Sequence, residues 1–302
     1  MKKVNVFVPS HITGFFSIQE ATTPLQTGSK GAGILLNRGV TTSIQKNPNN
    51  EETNISINAD SNPEKEAIIR KTIELMKSEF NFKDNFTINQ NINVPVGCGF
   101  GTSGASALST SLALIKLLKL PISPIKAGQY AHLVEVSLGT GLGDVLAEME
   151  KGLVFRIKPG APGYGECEVI NTDNELYIIT KSLGSIKTKN IITNSKQKEK
   201  ITKIGSNMEE KFLKLPSIRT FLKYSYQFSE ETELLNPKVK KIIEDLNTKT
   251  FGASMAMLGN TAFAITDDIS EIDPEEYTIS KLYNDGIKYL EKGKVVNDQN
   301  YL

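Results

Sequence analysis

Residues 95–104, Pro95-Val96-Gly97-Cys98-Gly99-Phe100-Gly101-Thr102-Ser103-Gly104, hold the residue types that bind an anion through the main chain. Glycines at 97, 99, 101 and 104 permit positive φ and close approach of the backbone to a ligand. Thr102 and Ser103 add hydroxyls where a run of Ala, Leu and Ile begins a helix. The unpaired N–H groups of that first turn and the positive end of its dipole favour an anion. No Asp or Glu occurs from 85 to 134, so nothing local repels a polyphosphate. The stretch reads as a nucleotide-phosphate loop; the alternative is a glycine-rich turn that serves packing only.

The first acids beyond that gap are Glu135 and Asp144. A phosphotransferase that uses ATP needs Mg2+ to bridge the phosphates and a group to orient or deprotonate the attacking hydroxyl, and these two carboxylates suit those tasks. His132 precedes Glu135 by three residues on a predicted helix and shares its face, although a histidine standing alone there reads as a core residue. Alternate glycines at 139, 141 and 143 make a tight turn that presents Asp144. Arg156 lies in the apolar run 152–159 on the face of Val154, where a guanidinium calls for a carboxylate or phosphate; an exposed sheet face is the other reading. Ser29 and Lys30 fall in a second glycine-rich stretch, QTGSKGAG at 26–33, whose composition favours a hairpin connection.

Better-known motifs overlap the loop and fail. A P-loop needs a Lys that residues 94–115 lack. Gly99, Gly101 and Gly104 spell the dinucleotide fingerprint, but no acid follows about twenty residues on, which argues against a dinucleotide-dependent oxidoreductase. The nucleophile-elbow pattern at 101–105 requires Ser, acid, His in that order, whereas His132 precedes Asp144. With two histidines, and Cys98 and Cys167 far apart, neither a zinc site nor a disulfide framework is spelled out.

The positioning elements follow from periodicity and punctuation. Residues 2–9 alternate as a strand and lead into a turn at 9–16 whose Ser10, His11 and Thr13 could line a cleft. Strands are expected at 34–45, 54–59, 86–94, 152–159, 176–180 and 261–266, with a loop at 47–50. Helices are expected from N-cap Asn62 and Pro63 to about 79, from the phosphate loop to about 120, from Ser123 and Pro124 to 138, and at 195–215, 217–228 and 237–246. Arg70 falls on the solvated side of the first. The Lys-rich face of helix 195–215 reads as solvated, since no aromatic residues interleave it. Residues 159–165 form a turn or a flexible lid, where a first domain, 1–165, gives way to a second, 166–302. Asp273, Pro274 and Glu276 resemble a capping box for a last helix to about 290, and the tail 292–302 is expected to be loose.

A chain of 302 residues, 39% hydrophobic and 23% charged, can bury a large core and fill two domains. Its net charge of +1 provides no whole-chain field toward nucleic acid or membrane, so neither is an expected partner. Apolar runs fall short of a spanning length and the N-terminus lacks a signal-peptide core; a cytoplasmic setting is expected.

The string 95–105 resembles the P-x-x-x-G-L-G-S-S-A-A loop of the GHMP small-molecule kinases, with Phe100 for Leu and Thr102 for the first Ser. Residues 9–16 and 252–259 match that superfamily's N-terminal turn and C-terminal glycine motif, the latter with fewer glycines. HITGFF, GSKGAG, GFGTSGA, GTGLGD and MLGN together resemble the archaeal branch that phosphorylates pantoate. The resemblance implies an α+β fold with a ribosomal-S5-like N-terminal domain, a ferredoxin-like C-terminal domain and the site between them. It implies that Pro95, Gly97, Gly99, Phe100, Gly101, Thr102, Ser103 and Gly104 hold ATP, that Ser103 and Glu135 hold Mg2+, and that Asp144 acts on the substrate hydroxyl. Ser29, His132 and Arg156 would bind pantoate, lifting residues whose plainer readings came first. The implied function is phosphorylation of pantoate to 4-phosphopantoate in coenzyme A biosynthesis, with a homodimer as the assembly considered. A homoserine or mevalonate kinase and a non-catalytic ligand-binding relative are the alternatives.

Overall fold

The alternation of Val4, Val6 and Val8 continues past Pro9, and β1 (Lys3–Gln19) pairs along its length with β2 (Gly28–Lys46). The expected turn at 9–16 is therefore strand. Irregularities between Pro9 and Ser10 and between Thr13 and Phe15 let it bend without losing its partner. The expected connection at 26–33 is likewise strand from Gly28 onward. Glycine is required there because a Cβ at Gly31, whose φ is +131°, would overlap the Phe15 carbonyl oxygen, and one at Gly33 would overlap the His11 ring. The computed structural model describes residues 2–48, 51–61, 63–172, 175–186, 194–291 and 294–296; the expected N-cap Asn62 and part of the loop at 47–50 lie outside them.

Around this hairpin the chain builds a mixed α+β fold with two sheets. The larger follows the order β12-β11-β1-β2-β4-β3, and β2 also pairs with β5, which pairs with β6. Here β3 is Asn54–Ile57, β4 Phe86–Ile92, β5 Leu153–Lys158, β6 Glu166–Ile170, β11 Lys288–Glu291 and β12 Lys294–Val296. The smaller has the order β10-β7-β9-β8, from Thr278–Lys281, Tyr177–Ser185, Gly259–Thr266 and Ala253–Ala256. Helices α1 (Pro63–Phe80), α2 (Thr102–Leu118) and α3 (Pro124–Leu138) pack together, with α2 also against β1 and β2. Helix α5 (Ser195–Lys214) lies on β1, while α6 (Ile218–Glu231) and α7 (Pro237–Asn247) cover the smaller sheet. No helix among the described residues is long and apolar enough to cross a membrane.

Several expectations are corrected by neighbours distant in sequence. No helix follows Asp273. Its carbonyl and side chain accept backbone N–H groups from Glu275, Glu276 and Tyr277, which closes a turn, and the β-branched Thr278 and Ile279 then enter β10. The tail is not wholly loose, since residues 294–296 pair with β11; its remaining residues lie outside those described. Residues 159–165 form a turn tied down by Ala161 N–H to the Leu25 carbonyl at 2.8 Å. Across the expected boundary at 165–166, which these pairings do not decide, β6 pairs with β5, and β11 returns from the far end of the chain to pair with β1. A short helix that the sequence reading missed, α4 (Asp144–Glu148), follows the glycine turn.

One aromatic series ties the two sheets. Phe15 of β1 lies 5.6 Å from Phe212 of α5 and 6.3 Å from Phe221 of α6; Phe155 of β5 meets Phe212 at 5.4 Å, and Phe221 meets Phe263 of β9 at 5.9 Å. All five rings are buried, and such pairs add roughly 0.5–1.5 kcal/mol each beyond the area they bury.

The smaller sheet also closes on the phosphate loop. Thr261 donates its hydroxyl to the Cys98 carbonyl at 2.8 Å, and Ile186 N–H donates to the Gly97 carbonyl at 3.0 Å. A Cβ at Gly259 would overlap the Cys98 carbonyl group. Gly259→Ala should therefore cost about 1–3 kcal/mol through overpacking against rigid backbone. Urea denaturation measures this, and an unchanged midpoint would show that the loop does not rest on β9.

Candidate active site

The loop enters α2 through glycines at positive φ, Gly97 at 73°, Gly99 at 88° and Gly101 at 61°, the last being the residue before the helix. Only the Ala105 N–H turns back, to the Gly101 carbonyl at 3.1 Å, and the first-turn amides before it face the anion site expected at a helix start. A buried polar network fixes where α2 begins. Gln90 of β4 donates to the Thr42 hydroxyl at 2.8 Å and to the Ser106 carbonyl at 3.1 Å, and accepts from the Ser106 hydroxyl at 2.8 Å. Ser106, one of the hydroxyls near the loop, is thus a strut of the helix.

A cavity of about 560 Å³ opens above this helix start, lined among others by Gly99, Phe100, Gly101, Thr102, Ser103, Asp144, Ser29 and Arg156. Met257 and Leu258, in the turn between β8 and β9, line it too, so the C-terminal glycine motif reaches the site. Pro95 lies behind the loop and lines a different, smaller cavity.

Asp144 is reached from two sides. His11 on β1, fully buried, places Nδ1 2.9 Å from Asp144 Oδ1. An ionised carboxylate can only accept, so Nδ1 carries the proton. Burial works to raise the Asp144 pKa, but the hydrogen bond and charge of His11, the charge of Arg156 and the Thr13 hydroxyl outweigh it and hold the carboxyl below its ordinary value. Burial lowers the His11 pKa more than its contact with Asp144 raises it. The result is a carboxylate that stays charged while a quarter of its side chain is exposed.

Two further carboxylates lie behind it. Glu135 of α3 is 1% exposed and Glu148 of α4 is 0% exposed; neither oxygen of Glu148 has a hydrogen-bond partner, and Glu135 has only the Val145 N–H nearby, without a hydrogen bond of good geometry. Burial first, and then the Asp144 charge, push both pKa values well up. Buried carboxylates without donors need either a proton or a cation. This donor set of hard oxygens, beside a phosphate loop, fits Mg2+.

Ser29 and Arg156 converge on Gly143, where a Cβ would overlap Ser29 Oγ and lie 2.8 Å from Arg156 Nε. Arg156 pairs in register with Gly31, whose missing side chain leaves room on the face that also bears Ser29. The guanidinium is 1% exposed overall, and its Nε and Nη1 have no partner. The exposed-face reading of Arg156 therefore fails; Asp144 and Glu209 are near enough to feel its charge, while its unpartnered Nε and Nη1 leave it free to take an anionic ligand.

Of the expected site residues, Pro95, Gly104, His132 and Glu135 do not line the cavity. His132 is engaged elsewhere. Its Nε2 donates to the carbonyls of Thr27 at 2.9 Å and Pro24 at 3.1 Å, pinning the segment that leads into Ser29. Two functional candidates escaped the sequence reading. His11 was read only as a cleft residue. Glu148 lies four residues beyond Asp144, a spacing that puts both on one helical face once α4 is known.

The chain's residues 67–152 match the GHMP kinases N terminal domain. It is 40% identical to the pantoate kinase of Methanocaldococcus jannaschii over 86% of this chain and 92% of that protein. It is 30% identical to the pantoate kinase of Thermococcus kodakarensis over 97% of this chain and 98% of that one. A solved structure described as a phosphotransferase related to the CoA biosynthesis pathway superimposes with a TM-score of 0.85 at 27% identity, covering 97% of this chain and all (100%) of the other.

Burial lowers the His132 pKa more than its two carbonyl acceptors raise it. A base whose folded pKa is depressed gives stability that is present above its ordinary value near 6.5 and is lost as pH falls below it, because the unfolded chain takes up the proton first. His132→Gln can keep the donor at the Nε2 position but cannot titrate. Its stability should therefore gain on that of the native chain as pH falls from 7 to 5, by up to about 1.4 kcal/mol per pH unit. Urea midpoints over that range measure this; parallel profiles would mean that His132 takes up its proton in the fold as readily as in the unfolded chain.

Proposed function

We infer that this chain, which belongs to the pantoate kinase family of the GHMP kinases, transfers the terminal phosphoryl group of ATP to the primary hydroxyl of pantoate, giving 4-phosphopantoate and ADP for coenzyme A biosynthesis. The observation that carries the substrate assignment is the buried, partly unpartnered guanidinium of Arg156, in the same cavity as the phosphate loop and Asp144. Pantoate has a carboxylate at one end and a primary hydroxyl at the other. One end is gripped while the other reacts.

In this reading the amides of Thr102, Ser103 and Gly104 cradle the phosphates at the α2 dipole. Mg2+, held by Ser103 and Glu135, would neutralise phosphate charge when bound. Asp144, kept ionised by His11 and Arg156, accepts the hydrogen bond of the primary hydroxyl and so aims its oxygen at phosphorus. It takes the proton as the new P–O bond forms and the bond to ADP breaks. A carboxyl with a low pKa is a weak base, so orientation and late proton capture, rather than early deprotonation, are its contribution. Arg156 forks onto the pantoate carboxylate with Ser29 beside it. His132 acts one step removed, by holding residues 24–27 in place. Two unpaired cysteines, Cys98 and Cys167, and the ATP donor support a cytoplasmic setting.

Arg156→Ala should lower kcat/KM for pantoate by about 2–4 kcal/mol while KM for ATP hardly moves, the expected cost of truncating one partner of a desolvated charge pair. Arg156→Lys should recover only part, because an ammonium lacks the planar fork. The amide analogue of pantoate should be poor with the native enzyme and far less sensitive to the substitution. Equal losses for acid and amide would show that Arg156 does not read the carboxylate.

A further inference from the structure

Glu148 has no place in the scheme above, yet it is the most deeply enclosed acid near the site. It ends α4, is 0% exposed, and neither carboxylate oxygen meets a donor. Its position is narrowly set by glycines of the phosphate loop. A Cβ at Gly101 would lie 2.6 Å from Glu148 Oε1, and a Cβ at Gly104 would lie 2.7 Å from Glu148 Oε2. The same point at Gly104 lies 3.2 Å from Glu135 Oε2, so both carboxylates border the first turn of α2. Glu135 is in turn pressed against Gly141, where a Cβ would fall 2.8 Å from Oε2. Any side chain at 101, 104 or 141 would push these acids apart or out.

A fold has no packing reason to enclose two such carboxylates, Glu148 without a partner and Glu135 with only the approach of the Val145 N–H, where apolar residues would fill the space. A hard divalent cation between them and the nucleotide removes the difficulty. Mg2+ takes one or two protein carboxylates and completes its shell with phosphate oxygens and water, so two glutamates and the Ser103 hydroxyl suffice once ATP is present. Asp144 gives Oδ1 to His11 and, in the proposed function, accepts the substrate hydroxyl, so the set is built on the two glutamates.

We propose that Glu148 is a second carboxylate ligand of the divalent cation, acting with Glu135 from beneath the phosphate loop. The proposal rests on reading the site as that of a cation-dependent kinase but not on pantoate being the acceptor. Its alternative is a Glu148 that stays protonated and only fills space under the loop.

Mn2+ serves as the probe, titrated by electron paramagnetic resonance into full-length enzyme with saturating ADP and no pantoate. Glu148→Gln, nearly the same shape, should weaken Mn2+ binding roughly 10- to 100-fold, as Glu135→Gln should, with metal-free ADP affinity unchanged. In crystals of the native enzyme with Mn2+ and ADP, the anomalous peak should lie at bonding distance from a Glu148 oxygen. Native Mn2+ affinity in folded Glu148→Gln, or a peak beyond reach of Glu148, overturns the proposal. Should Glu148→Gln fail to fold, the crystal peak decides. Because the titration contains no acceptor, failure of the pantoate assignment would leave its outcome unchanged.

Discussion

Negative charge is the constraint that this structure is arranged around. Three carboxylates, Glu135, Asp144 and Glu148, crowd beneath a loop whose amides invite a polyphosphate. The fold separates their tasks by what each can hydrogen-bond to. Asp144 receives a proton donor from His11 and the nearby charge of Arg156, and so remains an anion without a metal. Glu148 receives no donor and Glu135 only the approach of the Val145 N–H. On the proposed function, residues of the same chemical type would serve as an orienting group and as ion ligands through their neighbours alone.

Those neighbours come from distant parts of the chain, which is why the β1–β2 hairpin is central. It brings His11 to Asp144, Ser29 to Arg156 and Phe15 to the aromatic series that joins the two sheets. Glycines at 31, 33 and 143 create the space for these meetings, while Gly259 lets β9 rest on the loop. The site thus depends on close backbone approach as much as on its polar side chains.

The phosphate loop was legible from sequence because its signal is local, consisting of a strand, closely spaced glycines, two hydroxyls and a helix start. Glu135 and Asp144 stood out because no acid precedes them for so long. The buried Arg156 was half legible, since periodicity placed it on a strand face but could not say that the face was covered. What the sequence hid was tertiary. QTGSKGAG looks like a connection until Phe15 and His11 are seen to occupy the space of the missing side chains. The sequence could not show that the carbonyls of Pro24 and Thr27 take the Nε2 proton of His132 and so tie it to the segment before Ser29. Glu148 was invisible because α4 is too short to show a period. Residues 278–291 were misread as helix because the turn at Asp273 uses the same side chain that a helix cap would.

The central claim is that the cavity fixes a hydroxy acid by its carboxylate and phosphorylates the hydroxyl at the far end. Proton-coupled phosphorus NMR of the product made from pantoate, ATP and Mg2+ tests this most directly. The phosphomonoester signal should couple to the methylene protons of the primary alcohol, and homoserine or mevalonate in place of pantoate should give no comparable signal. Coupling to the single methine proton of the secondary alcohol, or faster turnover of either competitor, would contradict the account.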